Sequence, residues 1–339
     1  MSVNKKIIET EATVPVPEDA FNVQTYTGTG NSLSVTFGFE PDLIYFAARN
    51  ATGRRYWYYK LNGTWKYLVT TSLQTEETGL PFTSNSTGFT INGYSFGINY
   101  SGLTMVCYGW KFASTSTSNT SGTITSNVQA DTDKGISQVY WTGNSSNASI
   151  GHGLGGVPEL IIAKSRTVSQ NWAVYNQTAG SNYWLQLNGS TAKLDEAIWQ
   201  DTTPTSTLFY VNGNVVINSG NSVAWLFRSI PGLSKIGSFT GNGTGSASNP
   251  IQNCGFRPDM VLVKNIDATG PWHCIDTARG GTGQNNKQLN WSDTGTEYSG
   301  LDSTDYIKFE DNGFRVTTSA ASYNGSGNTI IYLAYKISS

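Results

Sequence analysis

Two pairs of adjacent acidic residues are the first groups in this chain that could do chemistry. Glu76-Glu77 and Asp195-Glu196 are neighbouring carboxylates, and hydrolysis of a glycosidic bond requires two carboxyl groups, one on each side of the sugar. Neighbouring side chains point to opposite faces of a strand and also diverge on a helix. Neither pair therefore predicts a catalytic dyad, and a polysaccharide depolymerase is the least favoured function.

A general base near neutral pH would have to be one of two histidines, His152 in a glycine-rich turn or His273. No serine lies in the Gly-x-Ser-x-Gly turn that presents a nucleophile. Asp276 and Arg279 are spaced to form an ion pair that stabilises a turn. We therefore predict that the protein is not an enzyme.

The cysteines do not predict a disulfide or a metal site. Cys107, Cys254 and Cys274 are odd in number, and the sequence has no Cys-x-x-Cys spacing. A cysteine inside an apolar stretch usually serves as a small buried side chain. We expect three buried thiols, no metal and no cofactor.

The elements that must position these residues are repeated along the chain. A turn with a proline precedes an apolar run of four residues three times, which predicts three strands. The copies are Pro41 with residues 43–46, Pro158 with residues 160–163, and Pro258 with residues 260–263. A Thr-Gly turn precedes each copy, at Gly28, Gly143 and Gly241, and a tryptophan follows it, at Trp57, Trp172 and Trp272. Three homologous modules of domain size follow from this pattern.

The third copy contains the most complete set of motifs. It has the segment Asp276 to Gly280 with its Arg-Gly pair and the turn Asp311-Asn312-Gly313-Phe314. With the Thr-Gly turn and the proline-led strand, this pattern resembles a repeat domain of bacteriophage tail-fibre and related virion proteins. The second copy departs from it at Val157 and Glu159. The resemblance implies an all-β chain of three tandem antiparallel β-sandwich modules, concanavalin-like or jelly-roll-like, in a virion protein.

The repeats divide the chain into five segments. We expect an extended N-terminal docking arm (1–24), repeat 1 (25–113), a Ser/Thr-rich linker (114–137), repeat 2 (138–232) and repeat 3 (233–339). The linker composition predicts a flexible tract. Its threonines also allow an edge strand, and both interpretations stay open.

The arm is predicted from prolines that alternate with valines, a pattern that enforces an extended backbone. An arm that binds a neighbouring protein is one interpretation, and a frayed terminus is the other. The candidate docking residues are Ile7, Ile8, Val14, Pro15, Val16 and Pro17.

A dense aromatic cluster in repeat 1 is the candidate receptor site. Strand alternation places Trp57 and Tyr59 on one face, predicted to be the sandwich core, and Tyr56 and Tyr58 on the other, predicted to be exposed. Exposed tyrosines can stack on sugar rings or contact a protein. The alternative is packing against another module or a symmetry mate. The candidate binding residues are Tyr56, Tyr58, Trp65 and Tyr67.

The overall composition limits the classes of partner that the protein is expected to bind. Charged residues make up 13% of the chain and the formal net charge is −2, which gives no basic surface for nucleic acid. The sequence predicts neither a signal peptide nor a membrane segment.

We expect a virion protein assembled in the host cytoplasm, most simply a tail fibre attached through its arm to tail, baseplate or capsid proteins. A homotrimer is the expected assembly. The alternatives are an adhesin for host surface glycan and a capsid decoration or head-fibre protein.

Overall fold

The computed structural model describes residues 17–53, 55–79, 81–93, 97–113, 115–213, 215–280, 287–299 and 306–338. Strands dominate these residues, and the three helices are single turns of four residues. Every paired strand is antiparallel to its neighbour within three large and three small sheets. The prediction of an all-β chain with antiparallel sheets is confirmed.

The first group of strands, unit 1, lies within residues 21–110. Its strands are β1 (Phe21–Thr27), β2 (Leu33–Thr36), β3 (Leu43–Ala48), β4 (Tyr56–Leu61), β5 (Thr64–Val69), β6 (Phe82–Asn85), β7 (Gly88–Ile91) and β8 (Thr104–Trp110). A five-stranded sheet has the order β1-β8-β3-β4-β5, and a three-stranded sheet has the order β2-β7-β6.

The second group, unit 2, lies within residues 117–227. Its elements are β9 (Thr117–Asn119), β10 (Ser126–Asp131), β11 (Ile136–Asn144), β12 (Ala148–Gly151), β13 (Leu160–Ser165), β14 (Ala173–Asn176), β15 (Tyr183–Gln186), β16 (Leu194–Asp195), β17 (Leu208–Val211), α1 (Val215–Asn218) and β18 (Ser219–Phe227). An eight-stranded sheet has the order β16-β15-β14-β13-β18-β11-β10-β9, and β12 pairs with β17.

The third group, unit 3, lies within residues 234–335. Its elements are β19 (Ser234–Thr240), β20 (Ile251–Asn253), β21 (Met260–Asn265), β22 (His273–Asp276), α2 (Thr277–Gly280), β23 (Lys287–Asn290), β24 (Tyr298–Ser299), β25 (Ile307–Glu310), β26 (Gly313–Val316), α3 (Ala321–Asn324) and β27 (Thr329–Tyr335). The six-stranded sheet has the order β19-β27-β21-β22-β23-β24, and the three-stranded sheet has the order β20-β26-β25.

The three large sheets share one strand order. In each, the last strand of the unit lies between the strand at the Thr-Gly turn (β1, β11 or β19) and the strand that follows the repeated proline. The register is the same as well, because the paired residues at the start of the proline-led strand are Leu43 with Trp110, Leu160 with Phe227, and Met260 with Tyr335. The sequence repeats are therefore repeats of structure.

Each small sheet packs against one face of the large sheet in its own unit, and the apolar side chains between them form an outer cluster. Aromatic rings contact each other across all three pairs. The ring centroids lie 5.4 Å apart for Phe46 and Phe89, 5.6 Å for Trp141 and Phe209, and 4.9 Å for Phe314 and Tyr332.

The opposite faces of the three large sheets meet in one further cluster, which we call the central cluster. Trp57 lies inside it, with ring centroids 5.9 Å from Trp172, 5.3 Å from Trp225 and 5.7 Å from Trp291. Both faces of each proline-led strand are thus buried, which explains their unbroken apolar runs. Burial of such large rings supplies a large share of the hydrophobic stabilisation.

The acidic residue after each repeated proline holds the end of the closing strand. The backbone N–H of Asp42, Glu159 or Asp259 donates to the last carbonyl of that strand, at 2.8, 2.9 and 2.7 Å. Each carboxylate accepts an N–H just beyond the strand, from Phe112, Ser229 and Ile337 respectively. A backbone N–H beyond the end of a strand has no partner in the sheet and needs another acceptor. The acidic residue after the proline supplies that acceptor in each unit, which explains why the Pro-acid motif recurs.

The Thr-Gly turns recur because the chain passes too close for a side chain. A Cβ atom on Gly28, Gly143 or Gly241 would overlap the carbonyl oxygen of Tyr100, Asn218 or Gly325 respectively. The segment that precedes the closing strand therefore requires a glycine opposite it in all three units.

Two predicted boundaries need correction. The tract 114–137 is not simply a flexible linker, because β9 and β10 lie within it and β11 begins at Ile136. These strands extend the large sheet of unit 2, where Val128 is buried in the outer cluster. The arm cannot reach residue 24, since β1 begins at Phe21 and pairs with β8.

Candidate functional site

The predicted receptor residues lie inside the protein. Tyr56 and Tyr58 are 9% and 3% exposed, so the prediction that they are surface aromatics is wrong. They face the small sheet of unit 1, while Trp57 and Tyr59 on the other face of β4 enter the central cluster. Alternation separated the two faces correctly but could not reveal that both are covered.

Trp65 and Tyr67 belong to the same outer cluster. Trp65 is 5% exposed and contacts Phe82, and the ammonium of Lys60 lies 5.2 Å from its ring centroid. The Tyr67 hydroxyl donates to Glu77 at 2.5 Å. The four aromatics stay candidates by prediction only, and in this structure their rings pack against the protein itself.

The arm residues Ile7, Ile8, Val14, Pro15 and Val16 lie outside the described residues. The description begins at Pro17, which precedes a turn leading into β1. The docking role of the arm therefore stays a prediction.

Two of the four adjacent carboxylates, Glu76 and Glu77, bind other side chains of the protein. The Glu76 carboxylate pairs with Arg166 at 2.6 Å and accepts a hydrogen bond from Tyr59, whereas Glu77 accepts one from Tyr67. These carboxylates point apart, as expected. Asp195 and Glu196 are both exposed. The described residues contain no group of three or more His, Cys, Asp or Glu side chains placed to bind a metal.

Both histidines are buried. His152 Nδ1 accepts from the Leu154 N–H at 3.1 Å and Nε2 lies 3.2 Å from the Thr205 carbonyl oxygen. His273 stacks on Tyr323 with ring centroids 4.1 Å apart. Burial lowers the pKa of each imidazole to about 4. Both rings are therefore enclosed by the protein and neutral near pH 7.

The three thiols are buried and free, as predicted. The predicted ion pair of Asp276 and Arg279 is present at 2.6 Å with both side chains fully buried. Tyr108 of unit 1 donates its hydroxyl to the same carboxylate at 2.6 Å. This pair therefore also joins unit 3 to unit 1.

The interfaces between units contain buried polar groups. Each is crossed by a cation that is 0% exposed and donates to backbone carbonyls of another unit. These contacts run from Lys164 to Leu73 (3.3 Å), from Lys264 to Ser190 (3.2 Å), and from Arg55 to Asn290 (3.4 Å) and Gly295. Burial lowers the pKa of Lys164 and Lys264 to about 8.

A backbone hydrogen bond and an ion pair accompany the cation at each interface. The N–H groups of Glu76, Lys193 and Glu297 donate to the carbonyls of Arg166, Ile266 and Arg49, at 2.8, 2.8 and 2.7 Å. The ion pairs are Arg166 with Glu76 (2.6 Å), Lys193 with Asp267 (2.5 Å) and Arg49 with Glu297 (2.8 Å). Unit 1 contacts unit 2, unit 2 contacts unit 3, and unit 3 contacts unit 1, so the units form a closed ring.

The two ends of the described chain meet beside β1. The Ala20 N–H donates to Ser338 Oγ at 2.7 Å, and the Ser338 N–H donates to the Phe21 carbonyl at 3.0 Å. This junction lies at the opposite end of the strands from the three ion pairs. Residue 17 therefore lies at that end of the ring.

The model of one protein family, described as a domain of unknown function (DUF7483), matches residues 16–338. The chain belongs to this family. The match spans all three units, so a DUF7483 domain is the whole ring. No curated protein matches the chain, and no solved structure matches it. No helix among the described residues of this DUF7483 chain has the length and apolarity to cross a membrane.

Sequence reasoning did not identify the interface residues. One signal was present, because Lys164 and Lys264 occupy the same repeat position at the end of an apolar run. A lysine is almost never fully buried unless its ammonium has partners. Its repeated placement there predicts acceptors supplied by another part of the chain.

Proposed function

We propose that this chain is a bacteriophage virion structural protein, a tail fibre or fibre-like appendage attached through its N-terminal arm. It consists of three tandem β-sandwich modules, and its partners are tail, baseplate or capsid proteins. The observation that carries the proposal is the closed ring. Repeated polar contacts and one central cluster hold together three units that share the same strand order.

A closed ring suits a mechanical role. The buried polar groups at the interfaces bind backbone carbonyls, and the residue that begins the described chain lies at one end of the ring. An arm preceding it would place the ring at a fixed distance from an attachment surface. The repeated motifs that resemble virion repeat domains support the same assignment.

In the glycan-adhesin alternative, Tyr56 and Tyr58 would bind the ligand as exposed side chains, whereas they are 9% and 3% exposed. Tyr56 and Tyr58 contact each other and the small sheet, with ring centroids 6.1 Å apart. An adhesin would need to use other side chains on the loops.

The test is assembly of phage particles with a chain that lacks residues 1–16. This deletion ends before the turn and strand β1, so the ring keeps all its described contacts. We expect the full-length protein in purified particles, loss of the shortened protein from them, and equal thermal unfolding of the two proteins. A chain lacking only residues 1–4 is the control. Absence of the full-length protein, or incorporation of both forms, contradicts the proposal.

A further inference from the structure

Unit 3 has a cavity of about 90 Å³ at the edge of its sandwich. It lies between β19, the edge strand of the large sheet, and β20, the edge strand of the small sheet. The ring of Phe239 and the amides of Asn242, Asn249, Gln252 and Asn324 line it, and none of the described residues around it is charged. Asn242 is exposed, so the cavity opens to solvent.

A smaller aromatic residue makes room for this cavity in unit 3. The strand registers place three aromatic residues at one equivalent position of the units, and they are Tyr26, Trp141 and Phe239. The Tyr26 hydroxyl donates to the Ile98 carbonyl at 2.8 Å, and the larger Trp141 ring is buried against Phe209. Phenylalanine has neither the hydroxyl nor the second ring, so Phe239 leaves space that the other two side chains fill.

A second difference makes the cavity polar. Gln252, Val35 and Ile150 occupy one position of the small sheets, each paired with a phenylalanine of the neighbouring strand. Val35 and Ile150 are buried apolar side chains of the outer clusters, whereas Gln252 is half-buried. Its Nε2 donates to the Pro250 carbonyl at 3.3 Å, and the amide has a second donor hydrogen and an acceptor oxygen. Gln252 can therefore form hydrogen bonds with a ligand.

Three asparagines hold the rest of the wall in a fixed arrangement. Asn242 Nδ2 donates to Asn249 Oδ1 at 3.1 Å, and Asn324 Nδ2 donates to Asn242 Oδ1 at 2.8 Å. Asn249 Nδ2 also donates to the Val316 carbonyl at 3.0 Å. These amides are ordered before a ligand arrives, which lowers the entropy cost of binding.

The size and the chemistry of the cavity indicate the group that it would hold. An apolar cavity of about 150 Å³ accommodates benzene, so about 90 Å³ corresponds to about four heavy atoms. An acetamido group has that size. It offers a methyl group to the Phe239 ring, and a donor and an acceptor to the surrounding amides. An ionised group would find no opposite charge among the described lining residues.

We propose that unit 3 binds the acetamido group of an N-acetylated amino sugar in this cavity. Gln252 and Asn242 bind the amide of the sugar, and Phe239 packs against the methyl group. Thr240 and Asn242 are exposed at the rim, where they meet the hydroxyl groups of the sugar ring. The site does not rest on attachment through the arm, since all its residues belong to unit 3.

The test measures binding of free N-acetylglucosamine, N-acetylgalactosamine and glucose to the full-length chain. Isothermal titration calorimetry gives the affinities, and saturation-transfer NMR shows which sugar protons contact the protein. We expect saturable binding of at least one amino sugar, with the strongest transfer to the acetamido methyl protons. Glucose should bind at least about ten-fold more weakly, because it leaves the amides of the cavity without their partner.

Two variants alter the cavity with side chains from unit 1. Phe239→Tyr supplies the hydroxyl that Tyr26 has, and Gln252→Val supplies the apolar side chain of Val35. Each should weaken binding of the amino sugar at least about ten-fold, because a ligand loses either its space or a buried hydrogen bond. Ile251→Ser is the control, since this side chain is 43% exposed on the other face of β20, and it should bind as the unmodified chain does.

Thermal unfolding identifies which variants are folded, and if one is not, the other decides. Absence of binding to both amino sugars overturns the proposal, and so does equal binding of glucose or unchanged binding in a folded variant. The assay uses the free protein, so its failure is distinct from a failure of the shortened chain to leave phage particles.

Discussion

Two buried histidines predict that the stability of this protein depends on pH. His152 is 0% and His273 4% exposed, and the hydrogen-bond partners of each suit a neutral ring. Burial lowers both pKa values to about 4, below the usual value near 6.5. Between these values the unfolded chain binds more protons than the folded one, so stability falls as pH falls.

We therefore predict that acidification from about pH 7 to about pH 5 lowers the free energy of unfolding by about 2 kcal/mol per histidine. Chemical denaturation at both pH values measures the change. His152→Gln replaces the two ring nitrogens with the donor and acceptor of an amide. It should reduce the pH dependence of the free energy of unfolding by about half. An unchanged pH dependence in this variant would show that His152 is not the titrating group.

At the scale of the element, the tract between units 1 and 2 is the most informative. Its Ser and Thr content favoured a flexible linker, but β10 lies between β9 and β11. Val128 pairs with Val139 on one side and Thr117 on the other. Residues 127 and 128 have partners on both sides, and residues 129–131 pair with β11 alone, so this tract is held in the sheet by backbone hydrogen bonds.

We predict slow amide hydrogen exchange in residues 126–131, comparable to that of β11 and at least about ten-fold slower than in an unstructured segment. Hydrogen exchange followed by mass spectrometry of peptides from this region is the measurement. Val128→Pro should accelerate exchange in the tract, because proline removes a donor and cannot continue a central strand. Exchange as fast as in a free peptide would restore the linker interpretation.

At the scale of the whole molecule, the ring has three junctions between units. The chain is not continuous at the junction between units 3 and 1. Units 2 and 3 are joined by residues 228–233, and Ala20 and Ser338 meet at the equivalent place between units 3 and 1. The homotrimer stays a prediction, and the ring offers a different explanation of the three-fold repeat, since one chain supplies all three units around the central cluster.

We predict that a circularly permuted chain folds. It begins at residue 115, continues to 338, passes through a short Gly/Ser linker and ends with residues 17–113. Since Ser338 already contacts Ala20 and Phe21, the circular dichroism spectrum and thermal unfolding of the permuted chain should match those of the parent. A permutant opened between Ile161 and Ile162, inside the central strand β13, should not fold. Failure of the first permutant would show that the ends must remain separate.

The sequence alone determined the class of the fold and its repeats, because those depend on local chemistry. Proline and acidic residues at strand starts, apolar runs and Thr-Gly turns each have a local backbone reason, as Asp42 and Gly28 show. The buried thiols and the ion pair of Asp276 and Arg279 were also predictable from their neighbours along the chain.

Tertiary structure alone decided which faces are covered and which units touch. A period of two residues separates Tyr56 from Trp57, but it cannot distinguish solvent from a second buried cluster. Likewise, the ion pairs join residues at least 74 positions apart, and no local pattern encodes such a distance. The closed ring depends on three sheets packing together, so its site residues become visible only when all three are in place.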